Sequence, residues 1–390
     1  MTKRSSLSKP PAAQGYRMPA EWEPHASTWL AWPHFRGDWP GKFEPIPWVY
    51  AEIIRNLARH ERVNLVVQSE REEKRASSVL ELADALSDNV CFHRWRTDRV
   101  WTRDSGCIFL SGQSQRRKPE RSYEPRATSY ELEAQDRSKL AARSSQLLAL
   151  HFCFNAWAKY DNYKHDAKLG AHMAKSAGAR AVRPMHAEER VVLEGGSIDV
   201  NGRGTLLTTE ECLLSTTQQR NPLMDRPAYD QMFAEYLGIR QVIWLGEGVE
   251  GDDTHGHVDD LARFVTPDTV VTMVEPNPKS ENYSALHHNL GRLKAARDQD
   301  GKRLNVVEMP MPRPVVFEGR QLPASYANFY IANGVVLVPV FNDPNDRIAL
   351  NTLAKLFPDR EIVPIYSGDL VWGFGALHCM TQQEPVASSQ

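Results

Sequence analysis

The sequence predicts an α/β fold arranged as one domain. Short runs rich in β-branched and aromatic residues alternate with longer amphipathic segments, so that a few strands followed by a helix recur several times along the 390 residues. Hydrophobic residues make up 41% of the chain and charged residues 25%, a balance that allows a buried core beneath a polar surface. No linker divides the chain, and we therefore predict a single domain over residues 16–386.

The predicted elements follow from the period of the hydrophobic pattern. Six segments have the helical period, and Pro344-Asn345-Asp346 provides a start for the last of them: 46–60, 70–86, 161–177, 225–236, 282–297 and 345–356. Short β-rich runs predict strands at 62–67, 90–95, 106–110, 190–193, 197–200, 205–208, 240–245, 258–265, 269–274, 304–308, 327–332, 335–340 and 361–365.

Two segments depart from this alternation. Residues 1–15 are polar and rich in proline, which predicts a disordered tail. Residues 111–146 contain few large apolar side chains and predict a polar surface insertion, partly disordered, with a short helix near 131–149.

Composition and charge narrow the classes of partner. The net charge of −2 gives no basic surface for nucleic acid, and the lysines and arginines within 114–126 fit a solvated loop. No run approaches the roughly 20 apolar residues of a membrane span, and the first residues lack the apolar segment of a secretory signal. The cysteine number is odd and no CxxC occurs, which predicts free thiols in a reducing cytoplasm: Cys91, Cys107, Cys153, Cys212 and Cys379.

Cys379 has the setting of a nucleophile. It lies between the small, flexible residues 373–376 and a polar C-terminal stretch, which predicts an exposed turn. A cysteine taken alone is more often an inert small hydrophobe. Other segments give it weight, because one thiol, one imidazole and several carboxylates suit nucleophilic attack on a cation.

Two of these carboxylates stand beside turns. Asp104 follows Trp101-Thr102-Arg103, and Glu194 precedes Gly195-Gly196. Each has a structural alternative of about equal weight by itself: Asp104 as a turn cap paired with Arg103, and Glu194 as a strand-end residue before a glycine turn.

The imidazole comes from the polar cluster Asp252-Asp253-Thr254-His255-Gly256-His257-Val258-Asp259-Asp260. If this segment is a strand, His255, His257 and Asp259 project from one face. Such a set also suits zinc, so a zinc-dependent hydrolase is an alternative. Asp260 stands where some metallo-hydrolases have a further histidine, which weakens the zinc interpretation.

Together, these segments resemble the agmatine deiminase and bacterial (Porphyromonas-type) peptidyl-arginine deiminase family of the guanidine-modifying superfamily. Six motifs that occur in the same order as in the family carry the resemblance: residues 18–25, 101–106, 154–160, 193–213, 327–334 and 377–383. The resemblance implies the pentein fold, a β/α propeller of five pseudo-symmetric ββαβ-like units around a central funnel.

The resemblance also implies roles for individual residues. Cys379 is the expected nucleophile and His257 the general acid and base, while Glu194, Asp104 and Asp259 are the carboxylates around the guanidinium. Trp101 and Arg103 are expected to contact substrate beside Asp104 and Asp259. Neither a metal nor an organic cofactor is expected.

The expected reaction is hydrolysis of agmatine to N-carbamoylputrescine and ammonia through a thiouronium on Cys379, a step that fits polyamine metabolism. Peptidyl-arginine is the alternative substrate with the same chemistry. A zinc hydrolase using His255, His257 and Asp259, and a catalytically inactive pentein that binds another protein, are the alternatives from other classes. The resemblance leaves a homodimer open, with no nucleic acid or membrane as partner.

Overall fold

The computed structural model describes residues 9–112 and 147–387. Its strands are β1 (Tyr16–Arg17), β2 (His25–Ala31), β3 (Arg62–Val67), β4 (Val90–Arg94), β5 (Ile108–Gly112), β6 (Leu147–Leu150), β7 (Arg180–Val182), β8 (Met185–His186), β9 (Glu189–Arg190), β10 (Asp199–Val200), β11 (Thr205–Thr209), β12 (Gln241–Leu245), β13 (Ala262–Thr266), β14 (Thr269–Val274), β15 (Asn305–Pro310), β16 (Val316–Phe317), β17 (Arg320–Gln321), β18 (Tyr330–Ala332), β19 (Val335–Val340), β20 (Glu361–Tyr366) and β21 (Gln382–Pro385).

The α-helices are α1 (Ile46–Ala58), α2 (Glu70–Leu82), α3 (Thr102–Ser105), α4 (Asp166–Ser176), α5 (Glu210–Leu214), α6 (Arg226–Met232), α7 (Tyr283–Ala295) and α8 (Asp346–Leu356). Shorter 3-10 turns lie at Ala12–Gln14, Arg36–Asp38, Ala156–Ala158, Gly195–Ser197, Val258–Asp260, Tyr326–Asn328 and Leu370–Gly373, and a π-helical turn, Phe233–Leu237, extends α6.

Five of the described sheets share one topology. In each, a strand pairs antiparallel with a central strand, and a helix then carries the chain to a third strand that runs parallel to the central one. These units are β5, β6, α4 and β7; β10, β11, α6 and β12; β13, β14, α7 and β15; β18, β19, α8 and β20; and β21, β2, α1 and β3. A parallel neighbour cannot be reached by a tight hairpin, so each sheet needs its crossover helix.

The last of these sheets joins the two ends of the described chain. β21 pairs antiparallel with β2, with Gln382 opposite Trp29. Although β21 contains no apolar residue except proline, it is buried. Its Glu384 carboxylate accepts hydrogen bonds from the Ser27 hydroxyl at 3.0 Å and the Trp29 indole at 3.1 Å. Burial is therefore possible because the polar side chains find partners.

The six predicted helices are confirmed, with shifted ends. α1 ends at Ala58 and α2 at Leu82, a few residues earlier than predicted, and α4 begins at Asp166, later than predicted. The start of α2 has a clear local cause, because the Ser69 hydroxyl accepts the backbone N–H of Glu72 at 3.4 Å. Helix ends are set by such caps, which the hydrophobic period does not register.

The predicted strand at 258–265 is wrong in its first half. Val258–Asp260 is a 3-10 turn, and β13 begins only at Ala262. The Asp252 carboxylate accepts the backbone N–H groups of Gly256 and His257 at 2.8 and 2.9 Å. Because these two backbone N–H groups bond to a side chain nearby in the sequence and not to a neighbouring strand, the chain forms a turn here instead of a strand.

The predicted strand at 327–332 also begins as a turn, Tyr326–Asn328, before β18. The predicted helix near 131–149 lies outside the described residues up to 146, and the rest of it belongs to β6. Strand β2 was not predicted, because it is buried on both faces and shows no alternation.

The predicted tail and insertion are described only at their edges. Residues 1–8 and 113–146 lie outside the described residues, while Ala12–Gln14 forms a 3-10 turn. The insertion follows β5, which includes residues 111 and 112, and it precedes β6. Because Ser111 pairs with Leu147 in these antiparallel strands, the insertion leaves and re-enters the fold at neighbouring points.

Candidate active site

Five short turns, one before the antiparallel strand of each of the five sheets, hold the candidate site. These five site turns are α3, Gly195–Ser197, Val258–Asp260, Tyr326–Asn328 and the turn at 377–380. Each of the first four contacts the next in this order. The fifth is bound to both ends of the series, because the backbone N–H of His378 donates to the Asn328 carbonyl and that of Arg103 donates to the Cys379 carbonyl, each at 3.2 Å.

Cys379 lies in the fifth site turn, with its thiol held by neighbouring turns. The Asn328 amide donates to Sγ at 3.1 Å, and Sγ lies 3.7 Å from Oδ2 of Asp259. Oδ1 of the same Asn328 side chain accepts the backbone N–H of His378 at 2.9 Å, so this side chain holds both the turn and the Cys379 sulfur. The predicted turn is confirmed, but the prediction that it is exposed is wrong, because Cys379 is only 6% exposed.

Asp104 projects from α3 toward the other turns. Its Oδ2 accepts the indole N–H of Trp157 at 2.9 Å, and its Oδ1 accepts the backbone N–H of Gly196 at 3.0 Å. A Cβ atom at position 196 would lie 2.5 Å from Nδ1 of His257, so glycine is required for this close approach. Asp104 does not cap its own turn, contrary to what the structural alternative expected, and its oxygens bind Trp157 and Gly196 instead.

Asp259 divides its two oxygens between two tasks. Oδ2 lies 2.6 Å from Nδ1 of His378. Oδ1 is buried without a hydrogen-bond partner among the described residues and lies 4.0 Å from Nδ1 of His257. One oxygen is therefore anchored, and the other remains available to a donor in the site.

His257 is surrounded by carboxylates at distances too long for hydrogen bonds. Its Nδ1 lies 4.0 Å from Asp104 and 4.0 Å from Asp259, and its Nε2 lies 3.9 Å from Oε2 of Glu194. The other Glu194 oxygen accepts from the Arg220 guanidinium at 3.1 Å. His257 and Glu194 are 1% exposed or less, so these charges interact in a site shielded from water.

The histidine and its glutamate are both held in their charged forms. Burial alone would lower the pKa of His257, but nearby Asp104, followed by Cys212 and Glu194, outweighs burial and raises it well above its usual value. Burial would likewise raise the pKa of Glu194, yet Arg220 and His257 lower it to about 2. At neutral pH the site therefore contains an imidazolium that can donate a proton.

The thiol is held in its neutral form. Burial, followed by the charges of Asp259, Asp260 and Asp104, raises the pKa of Cys379 well above its usual value. Burial also raises the pKa of Asp104 to about 6, against the opposing charge of His257. A site with excess negative charge disfavours a thiolate and favours a bound cation.

The predicted trio of His255, His257 and Asp259 does not converge. His255 has a left-handed backbone, with φ of 65°, and its ring lies 3.1 Å from the Ser215 hydroxyl, outside the site. The strand that would have aligned the three residues does not form. The zinc-hydrolase alternative therefore loses the ligand set on which it was based.

Another group in the described residues has donor atoms close enough for a metal ion. The ligand atoms of Glu194, Cys212 and His257 all lie within 4.8 Å of one another. Cys212 is placed there by α5, whose first turn is capped where the Thr209 hydroxyl accepts the Cys212 N–H at 3.1 Å. Thiolate, imidazole and carboxylate suit zinc, but the Arg220 guanidinium already binds Glu194.

The two further substrate contacts predicted, Trp101 and Arg103, are placed differently. Trp101 lines the cavity beside Asp104 and Cys379. Arg103 does not line it, because its guanidinium turns away to Gln383 at 2.6 Å, to the His378 carbonyl at 3.2 Å and to Glu21. The expectation that Arg103 contacts substrate therefore does not agree with the structure.

The cavity over these residues is small. It measures about 20 Å³ and is lined by Trp101, Asp104, Trp157, Asp253, Phe374 and Cys379, among others. That is room for roughly one water molecule. A much larger groove of about 570 Å³ lies elsewhere, beside Arg17, Arg240 and Lys302, and it contains none of the residues of the five site turns.

Several residues that build the site were not singled out from the sequence. Asn328, Trp157 and Gly196 belong to the motifs that carry the family resemblance, so a signal existed without an assigned role. Arg220 lies outside the motifs, and nothing in its sequence context points to a buried partner of Glu194.

The geometry is that of a thiol site built to receive a cation, and the comparisons identify the class of protein. The Porphyromonas-type peptidyl-arginine deiminase family matches residues 17–385. The chain belongs to this family.

Relatives and solved structures that are similar to this chain include agmatine deiminases. Agmatine deiminase from Pseudomonas fluorescens is 31% identical over 404 residues, covering 98% of each chain. Among solved structures, agmatine deiminase of Enterococcus faecalis superposes with a TM-score of 0.82 at 27% identity, over 99% of this chain and 100% of that one. A variant of the C. jejuni agmatine deiminase with substrate bound superposes with a TM-score of 0.77 at 27% identity, over 95% of this chain and 96% of that one.

Within the described residues, none of the helices has the length and apolar character needed to cross a membrane.

Proposed function

We propose that this protein hydrolyses agmatine to N-carbamoylputrescine and ammonia through a covalent intermediate on Cys379. The observation that carries the proposal is the convergence of one buried thiol, one imidazolium and three carboxylates at the five site turns. Full-length similarity to agmatine deiminases supports the choice of substrate.

Substrate binding is proposed to use the carboxylate acceptors of the site. Asp104 and Asp259 present carboxylate oxygens around Cys379, and Oδ1 of Asp259 has no partner among the described residues. A guanidinium offers its N–H groups in a planar fork that matches carboxylates with charge-assisted hydrogen bonds. Trp101, in the wall of the cavity, provides a flat surface for this planar cation.

The first chemical step is attack by sulfur on the guanidinium carbon. The bound cation lowers the pKa of the thiol, which burial and the carboxylates raise in the free protein, and the thiol gives its proton to solvent as substrate binds. A C–S bond forms, and the resulting tetrahedral centre collapses as the C–N bond breaks. His257 donates its proton to the departing nitrogen, which leaves as ammonia and gives a thiouronium on Cys379.

The second step is hydrolysis of that thiouronium. His257, now neutral, accepts a proton from water as the oxygen attacks the same carbon. The C–S bond then breaks, the sulfur leaves with the bonding electrons and takes up the hydroxyl proton of the tetrahedral centre, and the neutral carbamoyl product is released with the thiol restored. Glu194, fixed by Arg220 at 3.1 Å, stabilises the positive charge that His257 carries at the start and the end of the cycle.

The recurring sheet topology supports a pentein propeller with five units. Each unit contributes one of the five site turns, and the series of contacts returns from Cys379 to Arg103. We propose that these turns surround the funnel floor and that substrate enters along its axis.

Substrate entry requires movement, because the cavity is too small for a guanidinium compound. The hairpin of β16 and β17 lies against its rim. Phe317 packs on Trp372 with ring centroids 4.6 Å apart, and Arg320 stacks over Phe374 at 4.0 Å. Arg320 also bonds Asp253 in the cavity wall at 3.2 Å. We propose that this hairpin opens for entry, and that the enclosed site favours a small compound over a protein arginine.

Location and assembly are further proposals. All five cysteines of the chain are described, and none forms a disulfide, which supports a reducing cytoplasm. A homodimer stays a prediction.

The test compares ammonia release from agmatine, free arginine and an arginine-containing peptide at equal concentration. The proposal expects kcat/KM to be largest for agmatine, with the Cys379→Ser variant as the blank. A peptide turned over faster than agmatine would replace the substrate assignment. Absence of ammonia from all three would overturn the function.

A further inference from the structure

The family motif at residues 18–25 has no role in the chemistry proposed above, yet one of its side chains reaches the site. Glu21 is 7% exposed. Its Oε1 accepts the backbone N–H of Ile331 at 2.8 Å and pairs with Arg263 at 2.9 Å. Its Oε2 lies 3.2 Å from the Arg103 guanidinium and 2.8 Å from Nε2 of His378.

His378 therefore bridges two carboxylates. It is 2% exposed and directly precedes Cys379. Its Nε2 faces Glu21 at 2.8 Å, and its Nδ1 faces Asp259 at 2.6 Å. An ionised carboxylate can only accept hydrogen bonds, and a neutral imidazole has only one N–H. A neutral ring would leave one carboxylate oxygen against a bare nitrogen lone pair.

Both carboxylates are held ionised by their surroundings. Burial would raise the pKa of Glu21, but Arg263, His378 and Arg103 outweigh it and place the pKa well below the usual value. Burial opposes the ionisation of Asp259 as well, yet contact with His378 lowers its pKa.

The charge count of the surrounding network leads to the same conclusion. Arg263 also binds Asp199 at 2.5 Å, so the buried network contains three carboxylates, those of Glu21, Asp199 and Asp259. It contains two guanidinium groups, those of Arg103 and Arg263. Without His378, these groups carry one more negative charge than positive. The His257 imidazolium lies 4.0 Å from Asp259 but is shared with Asp104 and Glu194, whereas a doubly protonated His378 lies directly between Glu21 and Asp259 and balances the network. Uncompensated buried charge is costly, which favours this state.

We propose that His378 is held as an imidazolium between Glu21 and Asp259, where it positions the Asp259 carboxylate and places a positive charge beside Cys379. With Oδ2 of Asp259 fixed by the ring, Oδ1 stays directed into the site. Only the function assigned to Oδ1, binding of the guanidinium, rests on the proposed reaction. His378 and Glu21 are positioning residues, since they act through Asp259 and Cys379.

The direct test is nitrogen NMR of the intact protein labelled with ¹⁵N-histidine, with His378 assigned by loss of its signals in His378→Asn. The expected result is that both ring nitrogens of His378 stay protonated from pH 6 to 9. A spectrum with one protonated and one bare nitrogen within that range overturns the proposal. This measurement needs no substrate, so it is independent of the reaction assigned to the protein.

The second test measures the pH dependence of iodoacetamide alkylation at Cys379 in the free protein. His378→Asn retains a short donor but removes the charge, so the profile should move to higher pH by about one unit or more. The kcat/KM for agmatine should fall by about 30-fold or more. An unchanged alkylation profile in a variant that melts like the wild type overturns the proposal. If the variant does not fold, His378 is assigned by sequential resonance assignment of the wild type, and the NMR result decides.

Glu21→Gln keeps the size and position of the Glu21 side chain but removes its negative charge. A carboxamide can still accept from Arg103 and donate to a neutral ring, so one of the two carboxylates that hold the imidazolium of His378 is lost. Between pH 6 and pH 9, the kcat/KM of the variant should therefore fall by a factor about ten times larger than the factor by which that of the wild type falls. The matched control is Glu61→Gln, which weakens another buried pair, His25–Glu61 at 3.4 Å, outside the site. An equal alkaline loss in the control would mark the effect as structural.

Discussion

The two sides of the site differ in how tightly their side chains are bound. On the cysteine side, Cys379 accepts from Asn328 at 3.1 Å, and Asp259 contacts His378 at 2.6 Å. On the histidine side, His257 has only contacts of 3.9–4.0 Å, and both of its ring nitrogens lack hydrogen-bond partners among the described residues. Both sides are buried, so burial does not explain the difference.

The difference matches the tasks proposed for the two sides. A nucleophile gains from a fixed position, because small displacements from the attacked carbon are costly. A general acid and base must exchange partners during the cycle, first the leaving nitrogen and then water. Unsatisfied buried atoms are expensive in a finished structure, and we expect substrate to supply the missing partners of His257.

The largest expected effect comes from a change on the cysteine side, where short contacts hold the side chains. Cys379→Ser keeps the size of the side chain but removes the polarisable nucleophile, so kcat should fall by at least about 10⁴-fold. Thermal unfolding should stay close to that of the wild type. Mass spectrometry of the wild type quenched during turnover should find the adduct on the peptide containing Cys379. Cys91→Ser, a change at a half-buried cysteine outside the site, is the control. Substantial turnover by Cys379→Ser would sink the nucleophile assignment.

The next largest effect comes from a change on the histidine side, where the ring nitrogens of His257 have no hydrogen-bond partner among the described residues. His257→Gln removes the proton donor and acceptor, and kcat should fall by about 10²–10⁴-fold. The matched control is His255→Gln, two residues away, whose ring contacts Ser215 instead of the site. Steady-state kinetics of both variants decide the matter. If the two changes were equally damaging, the zinc alternative based on His255, His257 and Asp259 would return.

A third change tests how the two sides are joined through Asp104. Asp104→Asn turns one acceptor into a donor facing the guanidinium, which should cost about 2–5 kcal/mol in transition-state binding. That corresponds to roughly 30-fold to several-thousand-fold in kcat/KM. Removing a negative charge should also ease ionisation of Cys379, so its alkylation should speed up. If both rates stay unchanged, Asp104 has only a structural role.

The same residue gives a pH signature. Since the pKa of Asp104 is raised to about 6 in the free protein, its cation-binding form is lost as pH falls through that value. The kcat/KM of the wild type should therefore decline below about pH 6, and this limb should be absent in Asp104→Asn. The control is Asp166→Asn, because burial raises the pKa of that carboxyl to about 7 at a place outside the five site turns, and the limb should persist in this variant.

The smallest expected effect is that of metal removal. Exhaustive chelation should leave the rate unchanged, because the guanidinium brings its own positive charge and metal binding would occupy His257. A loss on chelation that zinc restores would point instead to Glu194, Cys212 and His257, whose ligand atoms lie within 4.8 Å of one another. Removing the thiol with Cys212→Ala would then abolish the restoration.

The sequence by itself determined the family. The motifs around Asp104, Glu194, His257 and Cys379 predict the reacting groups, and their order carries the resemblance that the family match over residues 17–385 confirms. The helical period located all six predicted helices, because amphipathic periodicity is a local property that a short window of residues contains.

Only the tertiary structure decided which of these groups meet. Asp104 and Cys379 are far apart in the chain, and the contact between their turns depends on strands β2 and β21 joining the two ends. The alternating pattern misjudged His255, because local hydrogen bonds turn the chain there. The resemblance placed Arg103 at the substrate, but its buried partners direct its guanidinium away from the cavity. The link from Glu21 through His378 to Asp259 spans most of the chain. It exists because three buried charges find partners only in the folded protein, and no local pattern contains that information.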